Sequence, residues 1–202
     1  MKTKLISAVL FLGLLSFTSQ TNAQTFSQGD IIVDVLAGGP NFSKLFVGGD
    51  IGLEEGETES LSGMLPVGLR GEFMVTDKFG IGLEVTYASG KREYTYSNDG
   101  GTTMHTDTWK HNKMRVLPTF NMHFLDSDMA DLYISLGAGV KNVNYTWEST
   151  DVDAFDGLEI PTGKISGKLA IGTRIFFSDN IGVNLAFGLG GPLVNGGLSI
   201  RL

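Results

Sequence analysis

"VTDKFGIGLEVTYASG", residues 75–90, falls into two parts. Thr76-Asp77-Lys78 has the polar composition of a turn. After it, Phe79, Ile81, Leu83, Val85 and Tyr87 take every second position, and Gly80, Gly82 and Glu84 take places between them. Period two is the mark of a strand with two unlike faces. The design returns at "FSDNIGVNLAFGLG", residues 177–190, where Ser178-Asp179-Asn180 precedes Ile181, Val183, Leu185, Phe187 and Leu189. One chain writes the same hairpin twice, so the question is which solvent its apolar side meets.

The same alternation marks eight stretches, near 30–39, 63–75, 79–90, 108–124, 131–147, 162–177, 181–190 and 194–202. Glycine punctuates them, and no stretch carries a convincing helical period. One face of these strands is apolar throughout. No charged residue falls on it, and Thr173 is its only clearly polar side chain apart from the hydroxyl of Tyr87. The opposite face carries Asp34, Arg70, Glu72, Glu84, Arg115, His123, Lys168, Arg174 and Arg201, with Asn121, Asn184, Asn195 and many glycines. A sheet divides in this way when one face meets oil and the other meets something polar.

Turn lengths agree with that division, because residues paired across a hairpin share a face. A three-residue loop Thr76-Asp77-Lys78 pairs Val75 with Phe79, and Ser178-Asp179-Asn180 pairs Phe177 with Ile181. Such loops usually end in a left-handed residue, which would be Lys78 and Asn180. The break from Leu125 to Asp131 returns Phe124 to Leu132. These short connections alternate with long polar ones near 40–62, 91–107 and 148–161. Short turns at one end and long loops at the other are the layout of a membrane barrel. The fold expected is all-β, an eight-stranded antiparallel up-and-down transmembrane β-barrel.

The alternative orientation is a soluble, lipocalin-like carrier with an apolar interior for a hydrophobic ligand. Four features favour the membrane. Glycine crowds the polar face, as a narrow lumen needs small residues beside long ones. The charges on that face nearly pair, which suits an interior network. Aromatic residues collect at two levels: Phe73, Phe79, Phe124, Tyr133, Phe176 and Phe177 near the short turns, and Tyr87, Tyr94, Tyr96, Trp109, Tyr145 and Trp147 near the long loops. Two ring belts are expected at bilayer interfaces. Finally, each apolar stretch is long enough to cross a bilayer when tilted, which takes roughly 9–11 residues.

The N-terminus, "MKTKLISAVLFLGLLSFTSQTNA", places Lys2 and Lys4 before an apolar run from Leu5 to Phe17 and ends in Thr21-Asn22-Ala23. This order reads as a secretory signal cleaved before Gln24, since the run is too short for a spanning helix of roughly 20 residues. The expected organisation is a signal peptide at 1–23 and one outer-membrane barrel domain at 24–202. Of the 15 Lys and Arg and 22 Asp and Glu in 202 residues, removing Lys2 and Lys4 leaves 13 against 22, a net charge of −9. That balance argues against nucleic acid as a partner. The chain has no cysteine, so hydrogen bonding and packing must hold it without disulfides.

Taken together, the signal, the eight alternating strands, the hairpin "RVLPTFNMHF…DLYISLGAGV" and the final strand make the chain resemble the small outer-membrane β-barrel proteins of the OmpA-barrel, OmpX/Ail and OmpW-like, porin-like type. The resemblance covers the whole mature chain. It implies outer-membrane lipid and the barrel assembly machinery as partners, a Gram-negative outer membrane as location, and a monomer. In this family the terminal strand serves as an assembly signal and ends in an aromatic residue. Here Leu198, Ile200 and Leu202 keep the alternation, with Leu202 where the aromatic would stand.

An eight-stranded barrel has an interior that side chains just fill. Asp34, Arg70, Glu72, Glu84, Arg115, Lys168, Arg174 and Arg201 are therefore expected to form an ion-pair network that closes the lumen, with a narrow channel for ions or small solutes as the alternative. Catalysis is not expected: His105 and His111 lie on or near the second long loop, His123 points inward, and no His-x-Ser pair of the lipid-modifying barrels occurs. No cofactor or metal is expected either. In "TDVDAFDGLE", Asp151, Asp153, Asp156 and Glu159 resemble a calcium loop, but Phe155 occupies a ligand position and Gly157 comes one place late. That segment and the first loop, with Asp50, Glu54, Glu55, Glu57 and Glu59, read as solvated acidic loops able to meet polysaccharide through divalent ions. The second loop mixes Lys91, Arg92, Tyr94, Tyr96, Trp109 and Lys110. Contact with extracellular protein or polysaccharide through loops 40–62, 91–107 and 148–161 gives an adhesion-like, surface-interaction role.

Overall fold

Strand alternation becomes a closed wall in the computed structural model, which describes residues 26–48, 56–97, 103–124, 127, 129–151 and 163–202. The predicted signal at 1–23 lies outside the described residues. So do Asp50, Glu54 and Glu55 of the first loop and Asp153, Asp156 and Glu159 of the third. The elements are β1 (Ile31–Gly39), α1 (Phe42–Val47), β2 (Thr58–Ser62), β3 (Val67–Thr76), β4 (Phe79–Ser97), β5 (Met104–His123), β6 (Ala130–Ser149), β7 (Ile165–Phe176), β8 (Ile181–Leu189) and β9 (Val194–Arg201).

All pairings are antiparallel. From β3 onward each strand pairs with its sequence neighbour, and β1 closes the ring by pairing with both β3 and β9. Eight staves result. The second has two pieces, because β2 pairs with the upper part of β4 and β3 with the lower part. The break between them contains Gly63 and Pro66, and a proline has no N–H for the ladder.

Orientation follows the pleat. Val35, Leu185 and Phe187 are 53%, 57% and 58% exposed, whereas Asp34, Arg70 and Arg174 are at most 1% exposed. The apolar face points out and the charged face points in, the reverse of what a soluble carrier of apolar ligands needs. Thr173, the polar exception on the outer face, donates its hydroxyl to the carbonyl of Asp131 at 2.8 Å. That contact is what a hydroxyl facing hydrocarbon requires.

Two turns match the expected pairing: the amide of Phe177 donates to the carbonyl of Ile181 (3.1 Å), and that of Phe124 to Leu132 (2.8 Å). The first turn differs. Met74 pairs with Gly80 and Thr76 with Phe79, so the loop is Asp77-Lys78 and Val75 is an extra residue in a bulge. The bulge absorbs the slip that a two-residue loop would impose, so both strands keep their faces. The Thr76 hydroxyl accepts from the amides of Lys78 (3.3 Å) and Phe79 (3.1 Å). The expected left-handed residues do not form, since among the described residues only glycines have positive φ.

The expectation of no helix is also corrected. Asn41 caps α1 by accepting from the amide of Lys44 (3.1 Å), while its side-chain amide donates to the carbonyls of Met64 and Ser89, both at 2.8 Å. Six residues are too few to show a helical period in sequence. The helix rests on Gly90, where an added Cβ would strike the backbone of Ser43 and Lys44. Gly90 lies on the inward parity of β4, so α1 sits across the inner side of the barrel's long-loop end.

Candidate functional site

The interior is layered. At the short-turn end Phe26, Ile32, Met74 and Phe176 form a small apolar cluster, with Phe26 set edge-on to Phe176 at 5.6 Å. Phe176 was expected in the lipid-facing belt, but it points inward and is 2% exposed. Arg201, expected in the network, stands beside this cluster with its guanidinium 5.6 Å from the Phe176 ring.

Above the cluster lies a charged layer centred on Arg174. Its Nη2 is 2.9 Å from Asp34 Oδ2 and 2.6 Å from Glu72 Oε2, and its Nη1 is 3.0 Å from Asp131 Oδ2. Arg70 reaches the same Asp34 carboxylate at 2.6 Å, and the hydroxyl of Ser199 also donates to it. Strands β1, β3, β6 and β7 are thereby tied across the bore. Tyr133, also expected in the belt, is fully buried instead. Its ring lies 4.5 Å from the guanidinium of Arg174 and 4.8 Å from that of Arg70, and its hydroxyl accepts from Arg70 at 2.8 Å. It fits because Gly172 faces it, where a Cβ would collide with the ring.

His123 completes this layer. Its Nδ1 is 2.8 Å from Asp131 Oδ1 and its Nε2 is 2.9 Å from Glu72 Oε1. A neutral imidazole has one N–H and one lone pair, and a lone pair facing a carboxylate oxygen would be repelled. With both carboxyls ionised, both nitrogens donate and the ring is an imidazolium. With it, Arg70, Arg174 and His123 balance Asp34, Glu72 and Asp131.

One step higher, Lys168 pairs with Glu84. Arg115 bonds to the Ser166 hydroxyl (3.0 Å) and the Gly167 carbonyl (3.3 Å). Beyond the bilayer-spanning residues, β4, β5 and β6 continue as a protruding sheet. Its pairing keeps one register, so inward parity carries on through Arg92, Tyr94, Tyr96, Trp109, His111, Tyr145 and Trp147. Five of these aromatics were expected as a lipid belt. They line the lumen side of the protrusion, and of the six assigned to the upper belt only Tyr87 faces outward. Arg92 lies 2.8 Å from Glu59 of β2 and 5.4 Å from the Trp109 ring. Phe46 of α1 packs on His111 at 4.7 Å. Burial, with the nearby charge of Lys113, pushes the His111 imidazole below its ordinary value.

Of the eight residues expected in the lumen network, the structure joins Asp34, Arg70, Glu72 and Arg174 in one layer and Glu84 with Lys168 in another. It places Arg115 on Ser166 and Gly167 and Arg201 against the Phe176 ring. Sequence reasoning missed Asp131, Tyr133, Ser199, Lys113 and Lys141, and gave His123 no role. Parity would have found the β6 members: Asp131, Tyr133, Ser135 and Lys141 are all odd, and odd residues of β6 face in.

The model of the outer membrane protein beta-barrel domain family matches residues 7–191. The chain belongs to the outer-membrane β-barrel family. Solved structures of similar shape include OprG from Pseudomonas aeruginosa, with 11% identity, a TM-score of 0.45, and coverage of 89% of this chain and 99% of that one. The N-terminal barrel domain of OprF from the same organism has 9% identity and a TM-score of 0.41, covering 88% and 100%. The attachment invasion locus protein Ail of Yersinia pestis has 13% identity and a TM-score of 0.36, covering 87% and 99%. A search of curated proteins finds no match. As a family member, this barrel turns its exposed apolar face to lipid and its buried charges to the lumen.

Proposed function

We propose that this outer-membrane barrel is a closed, non-catalytic structural protein that presents a contact surface outside the membrane. The observation that carries the reading is Arg174, fully buried and bonded to Asp34, Glu72 and Asp131 from three other strands. A guanidinium held from three sides across a bore this narrow, with Tyr133 packed on it, leaves little room for water or solute. The apolar cluster below it closes the short-turn end a second time. Residues 1–23 serve as the cleaved export signal, and Leu198, Ile200 and Leu202 of the last strand as the signal to the assembly machinery. The protruding sheet, with the connecting segments 40–62, 91–107 and 148–161 of which it forms part, then meets extracellular protein or polysaccharide. Planar-bilayer recording of the purified barrel tests closure: the expected result is no large steady conductance. A steady open level would replace this reading with the narrow channel.

A further inference from the structure

Arg115 and Lys141 face each other directly across β5 and β6, and Lys113 is the next inward residue of β5. Like charges directly opposite on a sheet destabilise it. Among the described residues none of the three has a carboxylate within salt-bridge distance. Glu84, which does act on Arg115 electrostatically, is already paired with Lys168. Arg115 is 3% exposed, so its charge is not simply released into water.

A cleft of about 30 Å³ opens between α1 and the barrel mouth; its walls are mostly apolar, with Phe42 and Pro192 among them, and Ser43, Lys113, Arg115 and Gly191 also line it. Ser43 is buried, and its hydroxyl has no hydrogen-bond partner. Gly191 leaves Arg115 approachable, because a Cβ there would lie 2.7 Å from Nη1. Arg115 spends Nε and Nη2 on Ser166 and Gly167, which are neutral, so among the described residues two cations and an unused hydroxyl around one small cleft, with a third cation across the strand pair, have no anion to balance them. A guanidinium presents paired donors that match an oxyanion, and an ammonium adds a point charge.

We propose that the cleft beneath α1 binds a small oxyanion of the phosphate type, held by Arg115, Lys113 and Ser43, with Lys141 adding its charge. The groups lie on the lumen side of the wall, so the anion comes from the external water and not from a lipid head group in the surrounding leaflet. Binding here is compatible with a closed lumen, because the Arg174 layer lies deeper.

The test uses the full barrel in an uncharged, phosphate-free detergent, with inorganic phosphate titrated in and followed by calorimetry and by ³¹P NMR line broadening. Saturable binding is expected. Lys113→Gln and Lys141→Gln each remove one charge and Gly191→Ala fills the approach to Arg115, so each is expected to weaken binding by about tenfold or more, the scale of one lost charge-assisted bond. Lys78→Gln, at the opposite end, should leave it unchanged. The heat-modifiable gel shift confirms that each variant is folded, and Gly191→Ala removes no charge, so a change in net charge cannot explain its effect. A parallel arm places the barrel in phosphatidylcholine vesicles with or without phosphatidic acid. The proposal is overturned if phosphate does not saturate, if folded Lys113→Gln and Gly191→Ala bind like the parent, or if the site fills only when phosphatidic acid is present.

Discussion

Arg174 holds three carboxylates, and each would be left partly unpaired in its absence. Removing one partner of a buried ionic cluster costs ~3–5 kcal/mol, because the remaining charges stay desolvated. Arg174→Met is therefore expected to lower stability by about that amount, read as a shift in the urea midpoint of the barrel folded in vesicles. His123 makes a sharper claim about charge. In ¹⁵N NMR at neutral pH both of its ring nitrogens should resonate as protonated; one unprotonated nitrogen would refute the imidazolium. At this scale the sequence was half legible. Asp34, Arg70, Glu72 and Arg174 could be found because a charge on alternate positions is conspicuous. Tyr133 and Phe176 also lie on inward parity, but an aromatic near a strand end reads equally as an interface anchor, and that reading hid them. Gly172 and Gly182 opposite them make the room they fill, and that pairing is not visible in one sequence.

Among the elements, the strands were legible and their interruptions were not. Period two located all eight staves, but the bulge at Val75 depends on which residue of a turn takes the extra place, and several turn types fit the same letters. Helix α1 escaped because it is held by Asn41 and by the close approach to Gly90, not by an apolar period of its own. That mode of attachment makes it separable. Gly90→Val should detach α1, so that limited proteolysis cuts within Phe42–Val47 while the barrel keeps its gel shift. Acid should act in the same direction. His111, packed under Phe46, binds fewer protons when docked than when free. Docking is thus fully favoured above the ordinary histidine value of about 6.5 and weakens as pH falls below it. A fluorophore on Leu45, which is exposed, should report rising mobility as pH falls through that range; loss of docking only on the alkaline side would contradict the assignment.

For the whole molecule, the division of faces fixed both closure and orientation, and the family match agrees with it. Orientation is testable at one position. Leu185 lies midway along β8 and faces outward, so Leu185→Arg should destabilise the barrel in vesicles by ~2–4 kcal/mol, the cost of a cation at the bilayer midplane. A neutral effect would mean that this side does not meet hydrocarbon. The protrusion stands where the sequence places a long polar loop, and the side on which its rings lie was not legible there, because that depends on register being kept without a slip far above the membrane. The seam between β1 and β9 has a consequence for biogenesis. The first and last strands are hydrogen-bond partners, so any chain lacking its final segment carries two raw edges that oil will not tolerate. Closure is expected to wait for the last strand, and until then a ribbon with one apolar face has to be shielded from its own kind in water.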